Sequence, residues 1–147
     1  NLEVLTAAFE RDINRQLSVR GRRGILVRLH VLGDFFSVPY VRFWAAQLAL
    51  HDRLACFGYT ARSPDSAIGR EIQSLKNIYG RRFAIRWSDG GGERDCTVSI
   101  PTREARPAGT FQCPEQIRVT RGNGQPMLCA TCGLCWSTDR NVAFVDH

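Results

Sequence analysis

The sequence predicts an α/β fold, either a partial β/α barrel or an open, mostly parallel sheet of order β-α-β-α-β-β, with an irregular cysteine-rich metal-binding segment at its C-terminal end. Three observations lead there. Apolar, branched runs alternate with stretches of helical periodicity at the intervals of parallel β-α-β units. This periodicity lapses from Pro101 onward, and four of the six cysteines fall after that point. The expected organisation is a core over residues 1–100 and a metal-binding segment over 101–147, packed as one domain.

Each element has its local reason. Leu2, Leu5, Phe9, Ile13 and Leu17 recur three or four apart, the spacing of one helical face, and Gly21 and Gly24 end that helix. "ILVRLHVL" at 25–32 is a strand in which Val27, Leu29 and Val31 face one way and Arg28 and His30 the other. Ser37 and Pro39 open a second helix carrying Val41, Trp44, Ala45 and Leu48. "LACFGYTAR" at 54–62 is a second strand. "SPDS" then supplies a cap, a first-turn proline and a first-turn acid for a helix through Ile68, Ile72, Leu75 and Tyr79. "RFAIRW" at 82–87 and "DCTVSI" at 95–100 are further strands, and a short "VAFVD" at 142–146 closes the chain. A closed eightfold barrel takes about 200 residues or more, so 147 residues allow only part of one.

Composition bounds the function. Hydrophobic residues at 44% and charged residues at 23% describe a globular chain with a real core. No apolar run is long enough to span a bilayer, and the expected location is cytoplasmic. The first residues already read as helix and lack an initiator methionine, so an N-terminal part is expected to be missing. Lys76 is the only lysine, leaving 19 arginines among the 20 basic residues and a net charge of +6. Such a balance suits phosphate contact, but most arginines are scattered along the chain, which favours codon bias as their explanation. Nucleic acid is therefore an open partner. There is no G-x-G-x-x-G after a strand, no phosphate-loop lysine motif and no G-x-S-x-G elbow. "GNG" at 122–124 is a hairpin turn signal.

Cys56 and Cys96 each lie within an apolar strand and read as small buried hydrophobes. Cys113, Cys129, Cys132 and Cys135 are different. The last three are spaced C-x2-C-x2-C, and Cys113 precedes Pro114. Three cysteines this close cannot all pair with one another without strain, so a metal is the better reading. One remote plus three local cysteines is an iron–sulfur pattern and favours a [4Fe–4S] cluster; structural zinc, often bound by two separated C-x2-C pairs, is the alternative. A segment with little hydrophobic pattern would gain order from such a cross-link.

In open α/β sheets ligands bind beyond the carboxyl ends of the strands. Those ends carry His30, Gly33, Asp34, Tyr59, Arg62 and Asp89, which form the candidate ligand pocket. Taken singly, such residues more often serve as turn formers or satisfied core polar groups.

"VRLHVLGDFFSVPYVRFW", "FGYTAR" and the ending "CPEQ…CGLCW…VAFVDH" resemble the gene product 88 family of phage and plasmid proteins, over nearly the whole chain. That family has no established activity, and the resemblance implies the cytoplasm of a bacterial host or phage-infected cell. The resemblance implies a further cysteine-containing stretch upstream of the first helix. More distantly, the layout is similar to radical S-adenosylmethionine enzymes, in which Gly33-Asp34 would occupy a turn that contacts the methionine group. No cysteine precedes Cys56, however, and the C-x2-C-x2-C spacing differs from that family's C-x3-C-x2-C. S-adenosylmethionine enters only if a missing N-terminus supplies a second triad. Three functions stand open at this point: an iron–sulfur protein, as part of a radical-type modifying enzyme; a zinc-stabilised nucleic-acid module with Arg118, Arg121 and Arg140 on phosphate; and a host-interaction module without catalysis.

Overall fold

The structure, a computed structural model, describes residues 2–20, 23–30, 32–88 and 94–146. Its elements are α1 (Leu2–Arg20), β1 (Ile25–Leu29), α2 (Val38–Leu50), β2 (Leu54–Thr60), α3 (Ala67–Tyr79), β3 (Phe83–Trp87), β4 (Thr97–Ile100), β5 (Phe111–Gln112), α4 (Cys129–Cys132), α5 (Leu134–Ser137) and β6 (Val142–Val145). The fold is α/β with parallel pairing and no closed barrel. One three-stranded sheet has the order β1-β2-β3 and a second the order β4-β6-β5. β4, expected at the end of the first sheet, belongs to the second. The chain falls into two compact units: residues up to 58 with 62–84, and residues 59–61 with those from 85 onward.

In the first unit, β1 runs parallel to β2 from Ile25 opposite Leu54 to Leu29 opposite Gly58. Gly58 is required there, because a Cβ would stand 2.8 Å from the Leu29 carbonyl oxygen. Ser37, in extended backbone, caps α2 by accepting from the Tyr40 N–H at 3.3 Å, and Pro39 sits in the first turn. α2 then buries Tyr40, Val41, Trp44, Gln47 and Leu48. The cap of α3 is Ser66, accepting from the Gly69 N–H at 2.9 Å. Pro64 and Asp65 thus lie before that helix, in a turn closed by Ser66 N–H on the Ser63 carbonyl, and not in its first turn as the sequence suggested. Gly69 packs so tightly on this turn that a Cβ would meet the Ser63 oxygen at 2.1 Å. α3 buries Ile72 and Leu75 and ends at Gly80, whose φ of 54° suits glycine. Of the α1 face, Ile13 and Leu17 are buried, and Phe9 meets the ring of Trp44 at 5.4 Å.

The second unit holds the second sheet. β6 lies between β4 and β5 and is parallel to both, Thr97 and Phe111 each opposite Val142. The region after Pro101 therefore supplies two strands, β5 and β6, to a sheet completed by β4, with strands of four, two and four residues in chain order. Between β5 and α4 a hairpin turns at Gly122–Gly124: Thr120 bridges Pro126 in antiparallel sense, and Met127 N–H donates to the Val119 carbonyl at 2.8 Å. No helix among the described residues is long and apolar enough to cross a membrane.

Candidate metal centre

Cys113 follows β5 directly, and its N–H extends the ladder to the Ala143 carbonyl at 3.0 Å. Pro114 then starts a tight turn in which Ile117 N–H returns to the Cys113 carbonyl at 3.2 Å. Cys129 and Cys132 occupy the two ends of α4, three residues apart and hence on one side of a helical turn. Gly133 ends α4 with φ 72°, its N–H on the Cys129 carbonyl, and begins α5. A glycine between two single turns lets the chain reverse sharply, and Cys135 comes back beside the other two. All four cysteines line one narrow, partly open cleft, with Trp136 and Val142 among its walls. Cys113 is buried and the other three are half-buried.

The thiols sense one another. Burial pushes the Cys113 thiol up; N–H groups of Gln116 and Glu115 oppose this, and the neighbouring Cys135 and Cys129 add to it. Burial likewise raises Cys135. The Tyr59 hydroxyl and the Arg86 guanidinium act against that rise, while Cys129 and Cys132 reinforce it. Thiolates gathered around one space repel, and a cation among them would offset that repulsion. Among the described residues, no three His, Cys, Asp or Glu side chains are close enough together to hold a single metal ion.

Two residues support the centre from behind. The Tyr59 hydroxyl donates to Cys135 Sγ at 2.9 Å. Arg86 is completely buried on β3. Its Nε donates to the Cys135 carbonyl at 2.9 Å, and its terminal nitrogens donate to the carbonyls of Arg140 at 2.8 Å, Leu134 at 3.2 Å and Thr138 at 2.5 Å. Asp95 Oδ1 stands 3.4 Å from the same guanidinium. The planar, five-donor guanidinium gathers the carbonyls of the cysteine loop as a metal ion would gather ligands. In sequence Arg86 is one of two arginines in "RFAIRW", and nothing local distinguishes it from a strand residue facing water.

The strand-end residues are distributed differently from the expected pocket. β1 ends at Leu29, and His30 leaves it with φ 55°. Its ring meets Phe35 edge-on at 4.5 Å, and both ring nitrogens are shielded with no hydrogen-bond partner among the described residues. Gly33 has φ 85° with open space where a Cβ would stand. Asp34 accepts the Phe35 N–H at 2.6 Å, and Arg62 Nε donates to the Phe35 carbonyl at 2.7 Å, 3.9 Å from Asp34 Oδ2. His30, Asp34 and Arg62 thus gather around buried Phe35, whereas Tyr59 reaches Cys135. Asp89 lies outside the described residues.

The remaining candidates are also placed. Cys56 and Cys96 are fully buried. The Cys56 thiol is pushed up to about 12 by burial, Arg82 opposing. Arg118 and Arg121 are exposed. The Arg140 guanidinium stacks 3.7 Å above the Phe111 ring, and its Nε donates to the Gly109 carbonyl at 3.1 Å.

Fold and site together define a class: an α/β protein whose second unit gathers four cysteines around one hollow, backed by a buried arginine. Within that class the chain is similar to the Gene 88 proteins of Mycobacterium phage L5 and Mycobacterium phage D29, 27% identical to each over 97% of its own length. It spans 62% of the length of these curated relatives. No family model matches the chain. No solved structure matches it either, so the likeness to radical S-adenosylmethionine enzymes gains no structural counterpart.

Proposed function

We propose that this chain is a phage-type iron–sulfur protein in which Cys113, Cys129, Cys132 and Cys135 hold a [4Fe–4S] cluster. The observation that carries the reading is the arrival of Cys113, 16 residues before Cys129, at the hollow lined by the local triad. A single zinc ion binds sulfur at about 2.3 Å in a tetrahedron, which draws its thiolates to about 3.8 Å from one another. A cubane cluster attaches each sulfur to a different iron and leaves the sulfurs farther apart. One remote and three local cysteines, with Cys113 followed by Pro114, favour the cluster over the single ion. When bound, such a cluster supplies one-electron chemistry or a rigid inorganic cross-link. This chain's own part is to hold four sulfurs, to shield them with Trp136 and to balance their charge with Arg86. Its two other cysteines, Cys56 and Cys96, are buried singly and offer no second triad.

The test is anaerobic purification with a visible spectrum and iron, sulfide and zinc analyses. A brown protein with about four irons and four sulfides per chain is expected. A colourless protein with one zinc would replace the cluster with a structural ion, and a protein holding neither after anaerobic reconstitution would end the metal reading.

A further inference from the structure

Cys135 differs from its three companions. It alone among them accepts a side-chain hydroxyl, from Tyr59 at 2.9 Å, and its own carbonyl accepts from a fully buried guanidinium. Both groups present positive charge toward the cysteine loop. Hydrogen bonds to cluster sulfurs and nearby net charge are among the main determinants of an iron–sulfur potential. Asp95, 3.4 Å from Arg86, offsets part of that charge.

Resting on the cluster reading above, we propose that Tyr59 and Arg86 are positioning residues that raise the reduction potential of the centre through Cys135, with Asp95 as the opposing weight. Reduction adds one electron to the cluster, and its negative charge spreads onto the ligand sulfurs. The Tyr59 O–H and the guanidinium interact more strongly with that more negative state. No bond to Cys135 breaks and no proton transfer is required. The electron comes from an external one-electron donor, which is dithionite in the experiment below.

Arg86 is too deeply built into the fold to serve as the first variant, so the experiment uses Tyr59→Phe and Asp95→Asn. Tyr59→Phe removes one hydroxyl. Asp95 has φ 58°, a left-handed conformation that asparagine tolerates well, so Asp95→Asn removes charge with little backbone cost. The full chain, loaded with iron and sulfide without oxygen, is titrated with dithionite while the visible spectrum is followed. Tyr59→Phe is expected to weaken reduction about fivefold, about 41 mV downward at 59 mV per decade, with iron and sulfide content unchanged. Asp95→Asn is expected to shift the midpoint upward. An unchanged midpoint in Tyr59→Phe overturns the proposal, and so does a downward shift in both variants, which would report general loosening. A wild-type chain that takes up no cluster fails at the earlier step and removes both readings. A loaded wild type with indifferent variants removes this one alone.

Discussion

The two units of this molecule are held by different means. The first is ordinary apolar burial: Val41, Trp44, Leu48, Ile72 and Phe83 are each almost wholly removed from water, at about 1.5–3 kcal/mol per large side chain. The second has short strands and two single-turn helices, and it too buries apolar side chains, Ile85, Trp87, Ile100 and Val142 among them. There the notable packed group is a cation, Arg86, with four loop carbonyls around it. A segment poor in apolar residues can still be ordered if its backbone oxygens find a buried donor set. That changes the role expected of the metal. The cysteine loop has an internal organiser of its own, so the proposed metal would add to an existing arrangement.

The sharpest way to break this contrast is Arg86→Met. It leaves the carbonyls of Leu134, Cys135, Thr138 and Arg140 without their donor and Asp95 without its cation, an expected loss of about 3–5 kcal/mol. Urea unfolding measures the loss, and limited proteolysis should show cleavage between residues 94 and 146 before the rest of the chain is attacked. Next in size is Cys132→Ser, which should abolish binding of the metal. If Arg86 and the β4-β6-β5 sheet order the segment, the protease pattern of the metal-free variant stays close to that of the metal-free parent. New cleavage throughout 101–147 would return the organising role to the metal.

Smaller effects sharpen the description of the first unit. Burial holds His30 below the usual histidine range, with the Asp34 carboxylate opposing. The folded state therefore binds fewer protons than the unfolded chain as pH falls through 6.5, the ordinary histidine value. Stability is fully present above that pH and declines below it. His30→Asn, which tolerates the same positive φ, should flatten that part of the urea-midpoint profile between pH 7 and pH 5, whatever its effect at neutral pH. Smallest is Ser66→Ala, which removes the cap of α3 and should cost about 1 kcal/mol in the same unfolding measurement.

Much of the first unit was legible because its elements follow short-range rules. The spacing of Val41, Trp44 and Leu48 makes one helical face wherever it occurs, and Ser37 before Pro39 marks its start. The "SPDS" reading failed by three residues because two serines compete for one cap, and only the seating of Gly69 against Ser63 selects the second. The four cysteines stood out by spacing alone. The strand-end residues did not sort themselves. Tyr59 and Arg62 are three residues apart on one exit from β2, yet one reaches Cys135 and the other the Phe35 carbonyl.

What the amino-acid order determined by itself is local and periodic: the α/β alternation, the start of α2 at Ser37 and Pro39, and the suitability of thiols for a metal. What only the tertiary structure decided is which distant groups meet. β4 leaves the first sheet for the second, Cys113 joins a triad that begins 16 residues later, and Arg86 turns from a strand residue into the buried cation of the cysteine loop. The reason is physical. Periodicity encodes the direction a side chain faces along its own element, whereas a guanidinium finds four carbonyls only after separate segments have closed around it.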